Sequence, residues 1–252
     1  MRLGLALLVM GLSQMAGLAP RPAHAGEIRV FCTQALRTSL QELGPRFEKA
    51  TGHTAIIDVA PSGQLVKRLE NGETADLIIA NAGNIDALIR DGKVSGSRID
   101  MARAQVGIAI KAGTPRPDIS TPDAVKRALL EAKAVAYVAG GLSGTAFETV
   151  LNRLGIADQV NARAVRAKSG TPAAGYLVRG EADIAVQQIS ELIPVAGAEL
   201  VGPLPPELDQ VTQFSMGAVA HSKAPEIVKA MLIYLQSPEA QAVIKSKGLT
   251  PG

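Results

Sequence analysis

The chain has 252 residues, of which 47% are apolar and 19% charged, with 3 Tyr, 4 Phe and no Trp; this globular composition excludes a disordered tail or a fibre. Its 26 basic and 23 acidic side chains include no basic block and no interleaved aromatic set, which excludes the charge footprint of a nucleic-acid binder. At roughly 150 residues per domain the length admits one large α/β unit or two linked lobes.

Residues 1–25 open with Arg2, continue as an apolar run over residues 3–12 and end in Ala23-His24-Ala25, the layout of a cleaved secretory signal peptide. The apolar run is about half of the ~20 residues that a spanning helix needs. Gly26 rather than a Cys follows the cleavage point, so the mature chain is expected to be periplasmic and unanchored. Loss of Arg2 and Arg21 leaves 24 basic against 23 acidic side chains, close to neutral. Cys32, the only cysteine, has no internal disulfide partner and lies in an apolar strand pattern, where packing in a strand is its expected role.

From Gly26 onward, short β-rich runs are expected at residues 28–32, 54–59, 76–80, 106–110, 134–138, 182–186 and 214–220, with helical patterns between most of them. Leu36, Leu40, Leu43 and Phe47 line one helix face, and Pro45 within that pattern predicts a kink or break. Phe147, Val150, Leu151 and Leu154 form a second stripe, ending at Gly155. Thr121-Pro122, Thr171-Pro172 and Ser237-Pro238 each set a capping side chain before a Pro at the first helical position. The βαβα order implies an α/β fold with a mostly parallel sheet flanked by helices.

Segments 105–110 and 212–220 interrupt this alternation. If both cross between lobes, residues 26–104 and 212–252 form the first lobe, residues 105–211 form the second, and a cleft lies between them on a two-strand hinge.

Strand-to-helix turns of one chemical type recur at Ala60-Pro61-Ser62-Gly63-Gln64, at Gly140-Gly141-Leu142-Ser143-Gly144-Thr145 and at Lys168-Ser169-Gly170-Thr171-Pro172. Each offers a small hydroxyl, a Gly that permits close backbone approach and free N–H groups at a helix start, a combination that attracts anions. Each is also ordinary capping chemistry, and Thr145 with Glu148 reads equally as a capping box. In parallel α/β sheets such turns gather at the carboxyl ends of the strands, where ligands bind. Together they point to a cleft that holds a small anion by neutral donors. Arg37, in the first turn of the first helix, is either a bidentate carboxylate partner in that cleft or part of a solvated face. His53 and His221 have no His or Cys neighbour at ligand spacing, so neither a metal nor another cofactor is expected. The glycines match neither phosphate-binding fingerprint, and Ser62 and Ser143 lack a nucleophile elbow.

The segments at residues 35–52, 61–86, 134–155, 180–192 and 234–248 resemble the periplasmic molybdate-binding proteins of ABC importers. The resemblance implies a two-lobed type II periplasmic binding protein fold, a small anionic ligand, an ABC permease in the inner membrane as partner, and a monomer. In that family uncharged hydroxyls and backbone N–H groups from both lobes hold the oxyanion. By position, Ser62 falls on a ligand-binding Ser, Ser143-Gly144 on a backbone donor of the second lobe, and Gly170 or Thr171 on a further donor. The implied contact set also takes in Thr33, Gly63 and Thr145. Two positions depart: Ala35 stands where a Ser is expected, and Gln188 where a Tyr is. Loss of one hydroxyl donor costs about 1–3 kcal/mol, roughly a tenfold to hundredfold loss of oxyanion affinity. The Gln188 amide suits a carboxylate at least as well as molybdate. Relatives on this scaffold include aconitate isomerases, so an isomerase is the alternative function; Glu148 and Cys32 are the bases the sequence offers for it.

Overall fold

The computed structural model describes residues 25–252; the signal peptide read at residues 1–25 therefore lies, up to His24, outside the described residues. The elements in chain order are β1 (Glu27–Thr33), a 3-10 turn (Gln34–Leu36), α1 (Arg37–Thr51), β2 (Thr54–Ala60), α2 (Ser62–Glu70), β3 (Leu77–Asn81), α3 (Ala82–Arg90) and β4 (Val94–Lys111). Next come α4 (Pro122–Glu131), β5 (Val135–Val138), α5 (Leu142–Leu154), α6 (Ala157–Asn161), β6 (Ala164–Ala167), α7 (Ala174–Val178), β7 (Ile184–Gln188) and α8 (Ile189–Leu192). The chain closes with β8 (Ala198–Pro203), β9 (Val211–Val219), α9 (Pro225–Leu235), α10 (Pro238–Ser246) and β10 (Thr250–Pro251).

The strand order is β2-β1-β3-β9-β4-β7-β5-β6, with β8 and β10 paired to β4. β1 pairs in parallel with β2 and β3, and β5 with β6 and β7, as βαβ connections require. Every pair made by β4 and β9 is antiparallel. Residues 94–105 of β4 pair with β9, and residues 106–111 pair with β7 and β8. This strand therefore belongs to both halves of the sheet. The helices cover the faces and bury separate cores. One forms around Leu36, Leu40, Leu43, Phe47, Met216 and Met231, and another around Ile108, Tyr137, Phe147, Leu151 and Val186.

Most sequence-based expectations for local structure hold. The α1 stripe is buried, as is that of α5 except for the part-buried Leu154, and both helices end on a left-handed glycine, Gly52 (φ 76°) and Gly155 (φ 67°), as a C-terminal cap demands. Cys32 is fully buried in β1. Two expectations fail, and the break allowed at Pro45 does not occur. Helix α1 continues through Pro45: the ring sits on the exposed face, and Gly44 before it has no Cβ for the ring to strike. Thr171 caps nothing, because α7 starts only at Ala174 with Ala173 at its N-cap. Thr145 and Glu148 form no capping box, because α5 begins at Leu142 and encloses both. Strands β6, β8 and the first two-thirds of β4 carry too few consecutive apolar residues to announce themselves.

Candidate functional site

β1 and β2 run in parallel in one half of the sheet, β5, β6 and β7 run in parallel in the other and in the opposite direction, and the turns at the carboxyl ends of the two sets build a single chamber of about 50 Å³. β1 supplies Thr33 and leads into Gln34 and Ala35; β2 leads into Pro61 and Ser62. From the other half, β5 leads into Gly141, Leu142 and Ser143, β6 into Ser169 and Gly170, and β7 into Gln187, Gln188 and Glu191. A water needs about 10–15 Å³ of such space, so the chamber admits a group of a few heavy atoms.

Neutral donors dominate its wall. Thr33, Ser62, Ser143 and Gln188 are all buried, at 3, 4, 5 and 2% exposure. The Ser62 hydroxyl donates to Thr33 Oγ1 at 2.9 Å, which leaves the Thr33 hydrogen free to point elsewhere. The Gln188 side-chain nitrogen is buried without a partner, a costly arrangement unless something else accepts from it. Helices α2 and α5 both start at this wall, with Pro61 and Gly141 at their N-caps and no side-chain cap on either. Their first amides have no preceding turn to bond. The positive ends of both helix dipoles thus face the same space.

The wall also contains one acid. Gln187 Nε2 donates to Glu191 Oε2 at 2.6 Å, while Gln187 Oε1 accepts from the Ala173 amide at 2.8 Å. This pins the amide so that its NH2 group faces the carboxyl. Burial pushes the Glu191 carboxyl up to about 7, against the smaller opposing pull of the Gln187 hydrogen bond and the Arg37 charge. Arg37 donates to Gln34 Oε1, and Gln34 Nε2 reaches the Gly170 carbonyl at 3.5 Å. Gln34 thereby touches both halves of the sheet across the cleft.

Thr33, Ala35, Ser62, Ser143, Gly170 and Gln188, all expected at the site, meet in this chamber. Gly63 and Thr145 line an outer groove that shares Ser62, Leu142 and Ser169 with it. Gly144 and Thr171 line neither. A Cβ on Gly144 would lie 1.8 Å from the Val138 carbonyl oxygen, so this glycine lets α5 pack on the end of β5. The Thr171 amide is spent on the Lys168 carbonyl at 3.0 Å, which leaves Gly170 as the residue of that turn in the chamber. Ser169, part of the third turn expected there, also lines the chamber, and sequence reasoning misses Gln34, Gln187 and Glu191 as wall residues. For the last two, the available signal is the polar QQISEL run that ends the apolar strand β7 and opens α8.

The two bases considered from sequence do not serve. Glu148 lines neither the chamber nor the outer groove. The Cys32 thiol is fully buried, donates to the Thr33 carbonyl at 3.3 Å, and is pushed far above the usual thiol range by burial. Among the described residues, no group of three or more His, Cys, Asp or Glu side chains is placed to hold a metal ion, and no helix is long and apolar enough to cross a membrane.

Comparison with known proteins places this geometry in context. Residues 28–250 match the family described as bacterial extracellular solute-binding protein. An aconitate isomerase from a Pseudomonas species is 33% identical over 254 residues, covering 98% of this chain and 95% of that protein. The molybdate-binding protein ModA of Escherichia coli (strain K12) is 24% identical over 241 residues, covering 90% of each chain. The solved periplasmic molybdate-binding protein of Azotobacter vinelandii superposes with a TM-score of 0.74 at 20% identity, over 88% of this chain and 98% of that one. That likeness is one of fold.

Proposed function

The chain belongs to the bacterial extracellular solute-binding proteins, and on that premise we propose that it captures a small anion, a molybdate-like oxyanion or an organic carboxylate, for an ABC importer. In this reading residues 26–104 and 212–252 form one lobe and residues 105–211 the other. They close about β4 and the crossing that leads into β9. The mature protein works as a monomer in the periplasm, without a cofactor, and the closed form docks on a permease in the inner membrane. Ligand capture draws the open form toward the closed one by as much as the closed cleft binds better.

One observation carries the reading. Uncapped helix starts from both halves meet buried hydroxyls and the unpartnered Gln188 amide around one chamber. Such a wall satisfies an oxyanion without a full counter-charge. The contacts are proposed as Thr33, Ser62, Ser143, Gly170 and Gln188, with Ala35 as the donor-poor corner. Replacing both Ser62 and Ser143 by Ala should weaken binding of the anion by about a hundredfold in a calorimetric titration; undiminished affinity in the double variant removes the assignment.

A second reading is favoured by Glu191. An enclosed carboxyl beside the anion chamber, held up to about 7, is poised as a general base near neutral pH. The relative that is 33% identical is named an aconitate isomerase, and double-bond migration in such an acid needs a base of this kind. Incubating the protein with cis- and trans-aconitate and following their interconversion tests it; no interconversion leaves capture alone.

A further inference from the structure

The donor chamber does not stand alone. A second chamber of about 50 Å³ adjoins it, and Gln34, Gly170 and Glu191 line both. The second chamber adds Arg37 and Ser190 to its wall. The Ser190 hydroxyl is buried, with the residue 3% exposed, and has no hydrogen-bond partner. Arg37 is half-buried and, among the described residues, forms no salt bridge; its side chain bonds only to Gln34. Arg29, Arg46, Arg68 and Arg98 each hold an acid, and Arg90, Arg103, Arg153 and Arg166 hold none among the described residues, but Arg37 alone lines the chamber. A guanidinium has five N–H donors in a fork that matches a carboxylate, and here most of them are unspent.

We propose that Arg37 and Ser190 form a second anion subsite, so that the ligand is a di- or tricarboxylate with one carboxylate among the neutral donors and another on Arg37. This rests on the reading that the first chamber holds an anion. A single tetrahedral oxyanion fills the first chamber and leaves the second unused. A ligand with carboxylates at both ends of a short carbon chain engages both, and its middle carbons then pass Glu191, the acid common to the two walls. Glu191 is accordingly the catalytic residue for an allylic proton shift in an unsaturated member of this class. Its carboxylate takes a proton from the methylene carbon, and the electron pair of that C–H bond becomes the new double bond. The former π pair forms a C–H bond at the far alkene carbon with the proton that Glu191 returns. Atoms and charge balance without any co-reactant. Gln187 is a positioning residue, holding the carboxyl through its own bond to the Ala173 amide.

The test titrates wild-type protein and the Arg37→Met and Ser190→Ala variants with propane-1,2,3-tricarboxylate and with molybdate. The expected result is a wild-type preference for the tricarboxylate of at least about tenfold. Arg37→Met should then weaken the tricarboxylate by about tenfold to a hundredfold while molybdate affinity stays within about twofold. Ser190→Ala should repeat the pattern on a smaller scale. An unchanged preference in Arg37→Met, or equal loss for both probes, overturns the subsite. Wild-type binding of molybdate without the tricarboxylate overturns this inference and leaves the anion chamber standing, whereas binding of neither overturns both. For Glu191, Glu191→Gln should lower the kcat for trans-aconitate at least about a hundredfold. Undiminished conversion in that variant, or none in the wild type, overturns its catalytic role.

Discussion

Helices α4 and α10 begin differently from α2 and α5. At the first pair, Thr121 and Ser237 stand at the N-cap, accept from the amides of Ala124 and Ala240, and precede a Pro at the first helical position. At the second pair the N-caps are Pro61 and Gly141, which have no capping side chain, and the serines lie inside the first turn. Thr121 and Ser237 do not line the chamber, whereas the uncapped starts of α2 and α5 form part of its wall; α6 and α9 also start without a side-chain cap, away from it. A side-chain cap satisfies amides permanently, so withholding it leaves donors that a ligand can use.

The largest effect expected on this comparison is structural. Gly144→Ala puts a methyl 1.8 Å from the Val138 carbonyl oxygen and should destabilise the protein by about 3 kcal/mol in chemical denaturation, by lifting the uncapped start of α5 off β5. An unchanged midpoint would show that this start is not held by close packing.

Next comes the acid in the wall. With its carboxyl held up to about 7 against an ordinary 4.5, the native state binds more protons than the unfolded chain in that window. The Glu191 contribution to stability is therefore full below pH 4.5 and is lost as pH rises through 7, on the order of 3 kcal/mol. Glu191→Gln should flatten that part of the curve of melting temperature against pH; a curve that keeps its fall places the responsible group elsewhere.

Smaller still, Thr121→Ala and Ser237→Ala should each cost about 1 kcal/mol and leave anion affinity untouched. A loss of affinity in either variant would dissolve the distinction between the two kinds of helix start.

Much of the scaffold is legible in periodicity, because the α1 and α5 stripes and the apolar cores of β1, β3 and β5 pack mainly against neighbours in their own half. The long strand β4 is not: its stretch VSGSRIDMARAQ is stabilised by pairing with β9, more than a hundred residues away, and carries little apolar signal of its own. The site divides in the same way. Ser62 and Ser143 are legible because a hydroxyl beside Gly at a strand-to-helix turn has a local meaning. Glu191 is not, since its character comes from enclosure between Gln187, the Gly170 turn and Arg37, which only the folded chain assembles. Arg37 stays ambiguous for the converse reason: in sequence it looks like any arginine in a first turn, and only its place in the wall of a chamber that Glu191 also lines sets it apart.

The most direct measurement installs a cap where one is missing. Gly141 has extended geometry (φ −98°, ψ 174°), and a Cβ there would only touch Val138 Cγ1 at 3.4 Å, an ordinary contact, so Gly141→Asp can accept from the first amides of α5 as an N-cap does. Stability should rise by a few tenths of a kcal/mol, while titration with molybdate or propane-1,2,3-tricarboxylate should show affinity falling at least about tenfold, because the donors are occupied and a negative charge sits at the wall. Affinity equal to that of the wild type, with the helix capped, would contradict the claim that those amides hold the anion.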